Sequence, residues 1–125
     1  MASPKRVLVV EDEVLIRMLA ADMLLEFGYQ ADEAGSAAEA LERLQRPGAD
    51  YVLVFLDIGL PDKSGEELIK EIRASRSDLP LLVASGEDPL TLKSRLGAFA
   101  PIAFMGKPYD SHHLRRELAN LSAMA

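Results

Sequence analysis

The chain has 125 residues, a formal net charge of −6, 49% hydrophobic and 27% charged residues, and no cysteine. This length suits one compact domain and is too short for two, and the composition is that of a globular protein, not a disordered or fibrous one. The scattered lysines and arginines argue against a nucleic-acid-binding surface, and the lack of cysteine excludes disulfides, thiolate metal sites and cysteine nucleophiles.

The amino-terminal sequence MASPKRVLVVEDE has a basic pair followed by only four apolar residues, which is not the pattern of a signal peptide. No apolar stretch of the sequence approaches the length of a membrane-spanning helix. We therefore expect a single cytoplasmic domain over residues 1–125, with its core from about 5 to 122, no output domain and no membrane insertion.

Five short segments are predicted to be strands. VLVV at 7–10 and YVLVFL at 51–56 are continuous apolar runs, which is typical of strands buried on both faces of a parallel sheet. PLLVA at 80–84 and PIAFM at 101–105 are weaker versions, each beginning with a proline, which a strand tolerates at its first residue. YQADEA at 29–34 is the most polar of the five and is interpreted as an edge strand.

Helical patterns separate these strands. The first runs from Glu13 to Phe27, and its predicted core-facing residues are Leu15, Met18, Leu19, Met23 and Leu24. Capping boxes beginning at Ser36 and Ser64 open the second and third helices, and two more helices are predicted at about 89–99 and 110–121. This alternation predicts an α/β fold with a doubly wound, five-stranded parallel sheet and helices on both faces.

Polar side chains follow four of the predicted strands at the point where each strand ends. In a doubly wound sheet, ligands bind beyond the carboxyl ends of the strands, beside the point where the strand order reverses. We therefore expect one site to gather Glu11, Asp12 and Glu13 after the first strand, Asp57 after the third, Ser85 after the fourth and Lys107 after the fifth.

A cluster of carboxylates at this edge favours a bound cation, because closely spaced carboxylates repel one another and raise each other's pKa. The available ligands are hard oxygens without cysteine or nearby histidine, which favours Mg²⁺ over zinc. Magnesium often bridges carboxylates to a phosphate, which Lys107 could contact as a point charge and Ser85 as a hydroxyl donor. Asp57 is therefore a candidate metal ligand and a candidate nucleophile that forms an aspartyl phosphate.

Four ordered motifs, VLVVEDE, LDIGLPDKSG, VASGE and FMGKP, resemble those of the response regulator receiver domain, the CheY-like family of two-component signalling. The resemblance covers the chain from about Lys5 to the end of the last helix. It implies a flavodoxin-like fold with strand order 2-1-3-4-5 and five helices. It also implies that the protein is not an enzyme but a signalling phosphoacceptor in a two-component or phosphorelay system, which catalyses its own phosphotransfer and autodephosphorylation. Such a protein would signal by contact with another protein, or would pass on or drain the phosphate.

The resemblance implies a role for each acidic residue of the site. Asp57 would accept a phosphoryl group from a phosphohistidine on a histidine kinase or a histidine phosphotransfer protein. Asp12 would bind Mg²⁺ directly and Glu11 through water, while Asp57 and the backbone carbonyl of Gly59 would complete the protein ligands. Mn²⁺ could take the place of Mg²⁺.

The resemblance also implies a switch. Ser85 would hydrogen-bond a phosphoryl oxygen and Lys107 would pair with it, with the Lys107–Pro108 peptide bond in cis. As Ser85 moves towards the phosphoryl group, Phe104 would change its rotamer and enter the space that Ser85 leaves. This change would alter the surface formed by the fourth helix, the fifth strand and the fifth helix, through which a downstream protein would bind.

Two other functions stay open. The first is a phosphohydrolase with an aspartyl nucleophile. Such an enzyme usually carries a second aspartate two residues after the nucleophile, and Gly59 at that position of this chain argues against it. An interaction module that signals without phosphorylation would be expected to lack the phosphoacceptor or the lysine, and both Asp57 and Lys107 are present.

Overall fold

The computed structural model describes residues 5–124, in which five strands alternate with five helices. The strands are all parallel and form one sheet in the order 2-1-3-4-5, which confirms the predicted fold. The strands are β1 (Lys5–Val10), β2 (Tyr29–Ala34), β3 (Tyr51–Asp57), β4 (Leu81–Ser85) and β5 (Ile102–Gly106). The helices are α1 (Val14–Glu26), α2 (Ala37–Gln45), α3 (Gly65–Ser75), α4 (Pro89–Leu96) and α5 (Ser111–Met124).

The sheet is covered on both faces, and β1 shows how the sequence produces this. Its successive side chains point to opposite faces: Leu8 and Val10 pack with α2, α3 and α4, whereas Val7 and Val9 pack with α1 and α5. All four of these side chains are fully buried. Burial on both faces explains why β1 and β3 are continuous apolar runs, and β2, which lies at the sheet edge as predicted, buries only Ala34.

The predicted helix caps form. The Ser36 hydroxyl accepts a hydrogen bond from the Glu39 N–H, and the Ser64 hydroxyl accepts one from the Glu67 N–H, each at 3.1 Å. After α1, Gly28 has a φ of +90°, the left-handed conformation that glycine adopts without strain. The fourth helix is shorter than expected, because α4 ends at Leu96 and residues 97–99 form a turn of 3₁₀ helix.

The predicted core face of α1 is wrong in part. Leu15 is 75% exposed, Leu19 is 59% exposed and Met18 is 49% exposed. The buried side of the helix is instead centred on Ala20 and Leu24, one turn apart, with Met23 partly buried beside them. Because α1 carries apolar residues on more than one side, its sequence pattern could not identify the side that meets the sheet. Within residues 5–124, no helix has the length and apolarity needed to cross a membrane.

Candidate functional site

Carboxylates from the ends of β1 and β3 meet at the carboxyl edge of the sheet. One carboxylate oxygen from each of Glu11, Asp12 and Asp57 lies within 4.8 Å of the others. The topology places them there: β1 and β3 are neighbours, but the chain leaves β1 towards α1 on one face and leaves β3 towards α3 on the other. The crevice between these two exits is where doubly wound proteins bind their ligands.

Lys107 joins the acidic residues from the far side of β4. Its Nζ lies 3.1 Å from Asp57 Oδ1 and donates a hydrogen bond to Glu11 Oε1 at 3.3 Å. Its backbone N–H donates to the Ser85 carbonyl at 2.8 Å, which fixes the loop after β5 against the end of β4. The Lys107–Pro108 peptide bond is cis, as is Ala100–Pro101. The ammonium thus lies between two of the three clustered carboxylates.

The electrostatics of the site follow from burial and crowding. Burial raises the pKa of Glu11, and neighbouring Asp12 and Asp57 raise it further, whereas the Glu13 N–H and the Lys107 charge lower it. Burial alone would lower the pKa of Lys107, but the hydrogen bond and charge of Asp57, together with Glu11, raise it. Three carboxylates against one ammonium leave the cluster short of positive charge, so a further cation would stabilise it.

The donor set fits Mg²⁺. Glu11 and Asp57 are buried and supply hard oxygen ligands from fixed positions, whereas Asp12 is exposed and leaves one side of the cluster open to water. Gly59 lies beside Asp57: a Cβ added to it would be 3.8 Å from Asp57 Oδ2, so no side chain fills this space. Magnesium binds through few protein carboxylates, keeps several waters and needs such an open side.

Ser85 lies at the same edge, and Phe104 lies on the neighbouring strand β5, farther from that edge. Ser85 is buried, and its hydroxyl accepts a hydrogen bond from the Glu87 N–H at 3.0 Å. It pairs with Gly106 in the sheet, and Phe104 pairs with Val83, two residues before Ser85. Phe104 is partly buried and packs against the cluster of side chains under α2, α3 and α4.

Several residues around the site were not singled out from the sequence. Arg17 on α1 donates from Nη1 to the Glu11 carbonyl at 2.8 Å and from Nε to Glu33 at 3.0 Å.

Tyr109 and Asp62 also lie near the site. The Tyr109 ring packs 5.7 Å from the Phe55 ring, and burial raises the pKa of Tyr109 to about 12, so its hydroxyl stays neutral. Asp62 bonds to the start of α2. The local sequence carries no signal for Arg17 or Asp62, because their partners lie on other elements of the fold.

The sequence profile of the response regulator receiver domain matches residues 7–119. Among curated relatives, the transcriptional regulatory protein PdtaR of Mycobacterium tuberculosis is 38% identical over 110 residues, which cover 87% of this chain and 52% of PdtaR. The sensor kinase CckA of Brucella abortus is 33% identical over 108 residues, covering 86% of this chain and 11% of CckA. The matched part of the chain thus corresponds to about half the length of PdtaR and to 11% of the length of CckA.

A solved structure extends the comparison to the fold. The response regulator protein TrrA of Thermotoga maritima, crystallised in complex with Mg²⁺–BeF, superimposes with a TM-score of 0.81. It is 33% identical, and the match covers 94% of this chain and 98% of the TrrA chain. The parallel sheet in the order 2-1-3-4-5 and the acidic edge site agree with these similarities. The chain belongs to the response regulator receiver domain family.

Proposed function

We propose that this protein accepts a phosphoryl group on Asp57 from a phosphohistidine donor, in a reaction that requires Mg²⁺, and signals through the phosphorylated state. The observation that carries the proposal is the cluster of Glu11, Asp12 and Asp57 within 4.8 Å, with the Lys107 ammonium 3.1 Å from Asp57. The donor would be a cytoplasmic histidine kinase or histidine phosphotransfer protein. The family membership of the chain supports this choice of partner.

The chemistry assigned to the chain is a direct displacement at phosphorus. A carboxylate oxygen of Asp57 forms a bond to phosphorus as the bond from phosphorus to the donor imidazole nitrogen breaks, and the imidazole then takes up a proton from water. Phosphoryl transfer depends mainly on positioning and on neutralising charge, and Lys107 supplies a fixed positive charge for this purpose.

A metal ion would be held by Glu11, Asp12, Asp57 and the backbone carbonyl of Gly59. When bound, Mg²⁺ neutralises charge on the phosphoryl oxygens, and Mn²⁺, which has similar ligand preferences, would substitute for it. TrrA was crystallised with Mg²⁺–BeF, which supports the assignment of a magnesium site to a receiver of this similarity.

The proposed response runs through Ser85 and Phe104. A phosphoryl group on Asp57 would attract the Ser85 hydroxyl, which the Glu87 N–H contacts in this structure, and Phe104 would move into the space that Ser85 leaves. The surface of α4, β5 and α5 would then bind a downstream protein. This surface carries a cavity of about 300 Å³ bordered by Phe104 and by two exposed apolar side chains, Leu90 and Met124.

The exposed apolar face of α1 is the proposed docking surface for the phosphohistidine donor. It includes the exposed side chains of Leu15, Met18, Leu19 and Leu25. Leu19 also borders an apolar cavity of about 400 Å³ that reaches Lys107 and Pro108. A protein donor must approach Asp57 from its open side, so an apolar surface next to that side suits it, and such patches on soluble domains commonly mark protein interfaces.

Replacing Leu15 and Leu19 together with alanine is expected to lower kcat/KM for transfer from a phosphorylated histidine phosphotransfer protein by roughly tenfold or more, because apolar anchors carry much of the energy of an interface. Phosphorylation by acetyl phosphate should be unchanged, because this small donor needs no docking surface. Leu90→Ala is the control, since Leu90 on α4 is about as exposed as Leu15 but lies on another helix. Equal losses in both variants, or a parallel loss with acetyl phosphate, would contradict the assignment of α1.

The experiment that tests the proposed function is intact mass spectrometry after incubation with acetyl phosphate, with Mg²⁺ or with a chelator. We expect one phosphoryl adduct that requires the metal. Absence of the adduct with Mg²⁺ present would favour an interaction module without phosphorylation chemistry. Continuous release of inorganic phosphate from unrelated phosphate esters would favour the phosphohydrolase instead.

A further inference from the structure

Asp62 lies in the loop that follows β3, and its side chain connects this loop to the start of α2. Its Oδ1 accepts a hydrogen bond from the Ala37 N–H and its Oδ2 accepts one from the Ala38 N–H, both at 3.0 Å. The first N–H groups of a helix have no partner within the helix. At α2 they are divided between two segments, because the Ser36 hydroxyl accepts the Glu39 N–H and Asp62 accepts the two before it.

The helix that Asp62 contacts is itself fixed. Ala37 and Ala40 in the first turn of α2 are fully buried against the sheet. Just before this turn, the carbonyl of Ala34, the last residue of β2, accepts a hydrogen bond from the Glu11 N–H at 3.0 Å. The start of α2 is therefore tied both to the core and to the backbone of one of the clustered acidic residues.

The other end of the connection is the loop that carries Gly59. The loop closes where the Gly65 N–H donates to the Ile58 carbonyl at 2.8 Å, and a Cβ on Gly65 would lie 2.5 Å from the Ile58 Cα, so α3 begins directly against the end of β3. Between these closing residues, Lys63 pairs with Glu71 of α3 at 2.7 Å. Asp62 and Lys63 thus hold the loop from two sides, and Asp62 makes the link across to α2.

We propose that Asp62 is a positioning residue for the metal site: by bonding the start of α2, it holds the loop of residues 58–64 so that the Gly59 backbone stays beside Asp57 and the acidic cluster. The proposal rests on the metal site of the proposed function and adds to it a residue that contacts neither metal nor phosphate. Groups that orient metal ligands from outside the ligand shell commonly change metal affinity by about 10-fold to 100-fold when they are removed.

The bonds to α2 are also stable around neutral pH. The N–H groups of Ala38 and Ala37 lower the pKa of Asp62, so its carboxylate remains charged and keeps both bonds until the pH falls well below neutral. The connection is therefore in place under the conditions in which Mg²⁺ would bind.

The test compares Asp62→Ala with Ser36→Ala, because both remove hydrogen bonds to the first turn of α2 and only the first releases the loop. Mg²⁺ affinity of the unphosphorylated protein is measured by titration calorimetry, and amide hydrogen exchange is followed over residues 58–64. We expect Asp62→Ala to weaken Mg²⁺ binding by roughly tenfold and to speed exchange in the loop. Ser36→Ala should leave both unchanged, and Asp62→Asn, which keeps one acceptor oxygen, should be intermediate.

Three results would overturn the proposal. Equal Mg²⁺ affinity in the wild type and Asp62→Ala would show that the contact is only a helix cap, with the metal site intact. Equal weakening in Asp62→Ala and Ser36→Ala would show that the stability of α2 alone is responsible. A wild type that binds no Mg²⁺ would overturn the metal site itself, and the positioning role with it.

Discussion

Asp57→Asn is expected to abolish the phosphoryl adduct formed with acetyl phosphate and Mg²⁺. An amide oxygen carries no formal negative charge and is a poor nucleophile at phosphorus, so the substituted side chain cannot accept the phosphoryl group. The adduct is measured by intact mass. Asp50→Asn serves as the control, because Asp50 is an exposed aspartate before β3, at the opposite end of that strand from Asp57.

The Asp57→Asn variant should fold, which makes a loss of the adduct interpretable. Lys107 keeps its hydrogen bond to Glu11 when the Asp57 charge is removed, and one source of repulsion on Glu11 disappears. Circular dichroism and thermal unfolding should therefore resemble those of the wild type. An adduct of undiminished amount on a folded Asp57→Asn variant would show that another residue is the nucleophile.

Lys107→Ala is expected to slow phosphorylation by acetyl phosphate by roughly 100-fold, because removal of one fixed group that stabilises transition-state charge typically has an effect of this size. Its Nζ lies 3.1 Å from Asp57, the proposed phosphoacceptor, where it would balance the charge of an incoming phosphoryl group. The rate is measured from the time course of the intact-mass adduct. Lys70→Ala on the exposed side of α3 removes an equal charge away from the site and should leave the rate unchanged.

Mg²⁺ affinity separates this chemical role of Lys107 from a structural one. In this structure the ammonium contacts Glu11 and Asp57, two of the carboxylates that would hold the metal, so it competes with the metal for their charge. Lys107→Ala should bind Mg²⁺ at least as tightly as the wild type while it reacts more slowly. A variant in which both affinity and rate fall together would contradict this account and indicate that Lys107 mainly holds the site together.

The parts of the fold that the sequence predicted are those governed by local pattern. The apolar runs of β1 and β3 require burial on both faces, and this is where they lie. Residues at or directly after the carboxyl ends of these strands share an edge by topology alone, which is why the sequence alone groups Glu11, Asp12 and Asp57. The caps at Ser36 and Ser64 were predictable for the same reason, since each bond spans three residues.

Contacts between distant segments could not be predicted in this way. Arg73 has the sequence character of an ordinary cation in the last turn of α3, yet its guanidinium donates to the carbonyls of Phe99 and Pro101, which lie 26 and 28 residues away. The bonds from Asp62 to α2 span 25 and 24 residues. The prediction of the buried face of α1 was wrong for a different reason: Leu15 and Leu19 are exposed but are as apolar as the buried Leu24.

The most direct test of the central claim is to locate the phosphoryl group chemically. The wild type is phosphorylated with acetyl phosphate and Mg²⁺, the acyl phosphate is reduced with borohydride to homoserine, and the product is mapped by peptide mass spectrometry. The account predicts homoserine at position 57 and at no other aspartate. Homoserine at position 12, or an adduct that resists borohydride because it is not an acyl phosphate, would contradict the assignment of Asp57 as the phosphoacceptor.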